Sequence, residues 1–133
     1  MTKEFKDMKG VIAIATTPFN NENLIDFESV DRLSNYYIES KVSGVTILGV
    51  MGEAHKLNIE EQKTLIKRYV NNLINSVPVI VGVSNAGLDN LELLSKFSMD
   101  SGASGVMVSG NNGLKNDDQI KSYFNQVVDR TQN

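Results

Sequence analysis

The sequence predicts an α/β fold, with short buried strands alternating with amphipathic helices around a parallel sheet. Two observations carry this. Four apolar runs recur at near-regular distance: GVIAIA from Gly10, GVTIL from Gly44, VPVIVGV from Val77 and GVMVS from Gly105, spaced 34, 33 and 28 residues apart. A helical pattern lies between successive runs and after the last. The order is β-α-β-α-β-α-β-α, with no low-complexity linker, so residues 1–133 form a single partial domain.

Each run is rich in valine and isoleucine and shows no polar alternation, as expected of strands covered on both faces. The helices declare themselves by spacing. Val30, Leu33 and Tyr37 mark one face of the first. The pairs Leu65/Ile66, Tyr69/Val70 and Leu73/Ile74 recur every four residues in the second, and Ile120, Phe124 and Val127 mark the last. Helix starts are expected where a capping side chain precedes Glu or Gln by three residues: Asn58 with Glu61, Asp89 with Glu92 and Asn116 with Gln119. VSGVTI at Val42 and ASGVMV at Ala103 are near copies, two units apart.

Composition narrows the function. Apolar residues make up 41% and charged residues 22%, ordinary values for a globular chain. The net charge of −3 and the lack of a basic stripe argue against nucleic acid. Without cysteine there are no disulfides and no thiolate metal sites. The start, MTKEFKDMKG, lacks the apolar segment of a signal peptide, and no apolar run approaches the roughly 20 residues that span a bilayer. A cytoplasmic protein is expected, with no membrane partner, no metal and no cofactor.

Alternating strands and helices fit either an open doubly wound sheet or part of a (β/α)8 barrel. The first strand ends in TTPFN, without the glycine-rich phosphate fingerprint of dinucleotide folds. That favours the TIM barrel. A complete barrel takes about 250 residues, so 133 residues correspond to a (β/α)4 half.

In such a barrel the loops after the strands carry the chemistry. The most telling is TILGVMGEAHKL, from Thr46 to Leu57. A buried strand ends in two glycines followed by an acid, either to make a tight turn or to bare the backbone for a ligand. Gly49 and Gly52 would let main-chain N–H groups approach an anion. The loop is expected at the C-terminal end of the second strand, with those groups facing the barrel axis.

TTPF, LGVMGEAHKLNIEEQ, VPVIVGVSNAG and SGASGVMVS fall in the order and spacing of the dihydrodipicolinate synthase / N-acetylneuraminate lyase family, from about Gly10 to Phe124. The chain resembles the N-terminal half of that family. The resemblance implies a (β/α)8 class I aldolase or lyase that binds an α-keto acid, usually pyruvate, as a Schiff base on a lysine. It implies that Gly49, Val50, Met51, Gly52 and Glu53, with Thr17 beside them, hold the keto-acid carboxylate. It also implies a small-molecule substrate and a homo-oligomer.

The sequence departs from that pattern in three places. Most members have two hydroxyl residues where this chain has Val50 and Met51, which neither donate a hydrogen bond nor pass a proton. The fourth loop usually reads proline-tyrosine-tyrosine; here it reads SGNNGLKNDD, so the relay tyrosine is not recognisable. The family's Schiff-base lysine lies on the sixth strand, beyond these four units. Lys3, Lys6 and Lys9 precede the first strand. Lys41, Lys63, Lys67, Lys96 and Lys121 belong to polar helix faces, and Lys56 and Lys115 to loops. A Schiff-base lysine needs a desolvated site to react as the free amine, and none of these lies in an expected strand. No catalytic residue is assigned within the chain.

The remaining candidates have simpler readings. Glu53 is expected to order its loop by accepting backbone hydrogen bonds, with acid–base work as the alternative. His55, the only histidine, is read as solvated; no second ligand lies at metal-binding spacing. Thr16 and Thr17 either bond within the site or close the turn with Pro18. Asn111 and Asn112 suit a tight turn, and Tyr36 and Tyr37 suit packing.

The function expected is therefore the N-terminal part of a pyruvate-type lyase or aldolase, inactive alone for want of the Schiff-base lysine. The alternatives are a non-catalytic half-barrel that self-associates and a small open-sheet binding domain. The runs at residues 11–15 and 106–109 would be open edges without blunting charge or proline. Inner-face side chains would meet water, so the isolated chain is not expected to be a well-folded monomer.

Overall fold

The computed structural model describes residues 9–131. Lys3 and Lys6 lie outside them. The four expected strands and four helices are present: β1 Ile12–Ile14, α1 Phe27–Glu39, β2 Gly44–Ile47, α2 Ile59–Leu73, β3 Val79–Gly82, α3 Leu88–Asp100, β4 Gly105–Met107 and α4 Asp117–Thr131. The strands are shorter than the apolar runs that announce them. In β2 the limit has a local cause: Leu48 sits at φ 55°, a left-handed conformation that ends the extended chain.

All strands are parallel and lie in sequence order, β1-β2-β3-β4. The helices follow the same order, α1 on α2, α2 on α3 and α3 on α4. This is the (β/α)4 half of a TIM barrel, and its strand order differs from that of a doubly wound sheet, which reverses direction.

Partners in parallel register share a face. Val45 and Val79 pair, as do Ile47 and Val81. This face turns to the helices, where it meets the buried Leu65, Ile66, Tyr69, Val70 and Leu73 of α2. The other face carries Ile12, Ile14, Thr46, Ile80 and Met107. Its exposure corrects the expectation that the whole inner face meets water. Thr46 and Ile80 are buried at 2% and 7%, whereas Ile12, Ile14 and Met107 on the edge strands are 37–45% exposed. Burial is lost only at the two edges, since neighbours flank the central strands on both sides.

Helix caps follow the sequence in two cases of three. Asn58 Oδ1 accepts from Glu61 N–H at 2.9 Å and Glu61 Oε2 accepts from Asn58 N–H at 2.8 Å, a reciprocal capping box. Asn116 Oδ1 accepts from Gln119 N–H at 3.0 Å, while Gln119 Oε1 reaches one residue further back, to Lys115 N–H. Asp89 is not a cap: α3 starts earlier, from Gly87, and Asp89 pairs with Arg130 of α4 instead. With helix geometry already at Asp89, its side chain is not placed at the N-cap. On α4 the buried face is Tyr123 and Val127 rather than the expected Ile120, which is 40% exposed. On α2, Ile74 falls just past the helix and is also exposed, at 47%.

Because the Asn58–Glu61 box satisfies two N–H groups at the start of α2, Asn58→Ala should cost about 1 kcal/mol. Urea denaturation at fixed protein concentration, followed by far-UV circular dichroism, measures this directly.

Candidate functional site

The loops at the C-terminal ends of the strands converge on one end of the sheet. The loop after β2 holds most of the expected site residues. Residues Val50–Gly52 form one turn of 3-10 helix, closed by Gly52 N–H to Gly49 O at 3.0 Å and Glu53 N–H to Val50 O at 3.1 Å. A second turn, Ala54–Lys56, follows directly. The chain passes between them through Glu53 at φ 53°. The loop thus sits where the sequence placed it. The N–H groups of Gly52 and Glu53 are consumed by the turn; those of Gly49, Val50 and Met51 find no acceptor among the described residues.

Two neighbours hold the turn. Thr17, 6% exposed, donates its Oγ1 hydroxyl to Gly52 O at 2.6 Å across 35 residues of sequence. Its role is closure of the β1 loop onto the β2 loop. From β3, Gly82 makes the close approach possible: a Cβ there would lie 2.3 Å from Leu48 O. A side chain would push Leu48 out of its turn. Gly49 is buried, and a Cβ built on it would meet Ile14 Cγ2 of β1 and Met107 Cε of β4 at ordinary contact distances of 3.6 and 3.7 Å.

Glu53 departs from expectation. Its carboxylate pairs with the Lys56 ammonium one turn on, not with backbone N–H groups. That bond holds the carboxyl below the usual carboxylate range. Val50 and Met51 are 88% and 59% exposed. His55 is exposed, in keeping with a solvated residue. Asn111 Oδ1 accepts from Gly113 N–H at 2.9 Å, as a tight turn requires. Tyr37 packs in the core, while Tyr36 meets it edge-on at 6.0 Å and stays largely exposed.

Some supports were not foreseen. Gln62 Nε2 donates to Ala54 O and Leu57 O, both at 3.0 Å, and so clamps the loop to α2. The signal was a polar residue on the apolar face of α2, one turn after Asn58. The Tyr69 hydroxyl, pushed above its ordinary pKa by burial, donates to Thr16 O at 3.3 Å at the end of β1. Ser109 N–H donates to Ser84 Oγ at 2.9 Å and joins the last two loops. Among the described residues no group of His, Cys, Asp or Glu is placed to hold a metal ion. No described helix is long and apolar enough to cross a membrane.

Replacement of Gly82 by alanine should distort the Leu48 turn and destabilise the chain by about 1–3 kcal/mol, the usual range for overpacking. Gly110→Ala is the control, since its Cβ would meet only Leu114 at an ordinary 3.6 Å. Parallel urea titrations of the two variants distinguish a local clash from a general dislike of alanine in loops.

Comparison with known proteins agrees with this geometry. The family model described as the dihydrodipicolinate synthetase family matches residues 7–133. A 4-hydroxy-tetrahydrodipicolinate synthase of Thermotoga petrophila is 35% identical over 100 residues, 75% of this chain and 34% of that protein. One of Methanocaldococcus jannaschii is 30% identical over 122 residues, 91% of this chain and 42% of that protein. The crystal structure of dihydrodipicolinate synthase from Rhodopseudomonas palustris superposes with a TM-score of 0.93 at 40% identity, over 98% of this chain and 43% of that one. YagE of E. coli K12, a prophage protein of the same family crystallised with pyruvate, gives 0.83 at 27% identity, over 91% of this chain and 41% of its own. The chain spans about a third to two fifths of the length of these relatives. With the family model matched along nearly its whole length, and with the barrel order of strands and the loop after β2 in place, the chain belongs to the dihydrodipicolinate synthetase family.

Proposed function

We propose that residues 1–133 form a single partial domain, the N-terminal half of a pyruvate-type keto-acid lyase or aldolase. Its substrate is a small α-keto acid, and it works in the cytoplasm as a homo-oligomer without a bound cofactor. The carboxylate of the keto acid is held at the loop Gly49 to Glu53 after β2, by the N–H groups of Gly49, Val50 and Met51, with Gly52 and Glu53 closing the turn and Thr17 bracing it. The observation that carries this reading is the position of that loop at the C-terminal end of β2, with three main-chain N–H groups left over from its turn.

The division of labour follows from the side chains. Val50 and Met51 offer no hydroxyl, so carboxylate recognition rests on the backbone. Thr17 positions rather than reacts, because its hydroxyl proton is committed to Gly52 O. Glu53 is ionised and paired with Lys56, which suits it to fix the second turn rather than to exchange protons with substrate. The four described strands, IAI, GVTI, VIVG and GVM, contain no lysine. Lys56, the lysine in the loop itself, is exposed and ion-paired, the opposite of the desolvated amine that a Schiff base requires. The covalent step therefore belongs to the part of the family fold that follows these four units.

Reduction with borohydride in the presence of pyruvate tests this. The 133-residue chain should gain no mass, while weak pyruvate binding should shift the amide resonances of Gly49, Val50 and Met51. A stable adduct on Lys56 or Lys115 would overturn the assignment of chemistry, and unmoved amides at saturating pyruvate would overturn the assignment of the carboxylate site.

A further inference from the structure

The loop after β4 folds back on itself at residues 111–114. Leu114 N–H donates to Asn111 O at 3.3 Å, which makes this segment a β-turn, and Gly113 N–H donates to Asn111 Oδ1 at 2.9 Å. Asn112 and Gly113 are the central residues of the turn. Both are exposed, while Leu114 packs against the core and anchors the segment. The loop after β3 makes the same side-chain bond, Gly87 N–H to Asn85 Oδ1 at 3.0 Å, with Ala86 in the middle. The fourth loop differs in what stands there: a carboxamide directly before a glycine. Among the asparagines of the sequence, Asn112 is the one that glycine follows.

That pair carries its own chemistry. The carboxamide carbon of Asn112 is an electrophile, and the main-chain nitrogen of Gly113 is a nucleophile within reach of it. Glycine matters because no Cβ shields that nitrogen. The bonds of the turn use Asn111, Gly113 and Leu114, and none uses the Asn112 carboxamide. We propose that Asn112 is a site of spontaneous deamidation and that Asn111 restrains it. Hydroxide removes the Gly113 amide proton as water. The nitrogen then forms a bond to Asn112 Cγ, the Cγ–Nδ2 bond breaks, and the departing nitrogen takes a proton from water and leaves as ammonia. Water opens the resulting cyclic imide at either carbonyl, giving aspartate or isoaspartate at position 112. No oxidant, metal or cofactor enters. The restraint acts on the first step. Asn111 Oδ1 holds the Gly113 proton, so the amide must give up that bond before it ionises.

Nucleophile, electrophile and restraint all lie within residues 111–113. The proposal therefore depends neither on the keto-acid reading nor on what packs against the sheet. Its product changes the loop in two ways. A neutral amide becomes a carboxylate in a chain whose net charge is already −3. The isoaspartate form also adds a methylene to the main chain and so lengthens the turn. Both changes fall at the end of the sheet where the loops after the strands converge.

Peptide mapping by mass spectrometry of the purified chain, kept for days in mildly alkaline and mildly acidic buffer, tests the proposal. The tryptic peptide from Phe97 to Lys115 carries Asn111 and Asn112 as its only side-chain amides, so fragmentation places the change without ambiguity. Conversion is expected at Asn112 before any other asparagine, faster in the alkaline buffer, with isoaspartate formed alongside aspartate. Asn111→Ala should accelerate it about two- to tenfold, the factor that one hydrogen bond contributes. Asn111→Asp keeps an acceptor at that place and should react no faster than the native chain. Gly113→Ala should leave Asn112 intact over the same period. An unchanged Asn112, aspartate without isoaspartate, or earlier conversion at another asparagine overturns the site. An Asn111→Ala chain that reacts at the native rate overturns the restraint.

Discussion

The pairing of β2 with β3 is the constraint on which everything else rests. Val45, Thr46 and Ile47 lie against Val79, Ile80 and Val81, and all of these side chains are buried. A strand buried on both faces must satisfy its backbone through its neighbours, because no water reaches it. That requirement brings β1 and β4 to the flanks and the helices to one side. Val70 and Leu73 of α2, with no exposure, are seated against this centre. Ion pairs contribute less. The Arg68 fork on Asp31 joins α1 to α2 on the surface, where such pairs contribute little to stability but help fix orientation.

The same pairing dictates the shape of the candidate site. Since β2 and β3 run side by side, Leu48 must leave the sheet across β3, and only a glycine at position 82 lets its carbonyl through. Leu48 adopts a left-handed conformation there, and a second left-handed residue, Glu53, separates the two turns that follow. Such conformations cost non-glycine residues free energy, so they persist only where surrounding bonds hold them. Thr17 from the β1 loop and Gln62 from α2 are those bonds, one on each side of the turn. The loop is therefore tethered on both sides, to the β1 loop and to α2, while the side chains of Val50 and Met51 stay exposed.

The edges show what half a barrel means physically. In the centre of the sheet, Thr46 and Ile80 are protected by neighbours on both sides even though no opposite wall faces them. At the edges, Ile12, Ile14 and Met107 keep a substantial share of their surface in water. The loss is confined to a few residues on the two outer strands of the described sheet.

Much of this was legible in the sequence for a physical reason. Doubly buried strands must be continuous runs of valine and isoleucine, and a helix against them must repeat its apolar residues every three to four positions. The order of elements, the parallel sheet, the caps at Asn58 and Asn116 and the turn at Asn111 all follow from such local rules. The loop after β2 was placed at the correct end of its strand for the same reason, since a glycine pair cannot continue a buried strand comfortably. What the tertiary structure alone decided depends on partners distant in sequence. Asp89 falls inside the first turn of α3, which starts from Gly87, and its carboxylate meets Arg130 of α4 instead of capping the helix. Glu53 pairs with Lys56, which the second turn of the loop brings close, rather than with backbone N–H groups. Thr17 reaches Gly52 across 35 residues of sequence, and Gly82 matters only because Leu48 passes over it. Local pattern determines which elements form, whereas the contacts that lock the site arise only when the strands are side by side.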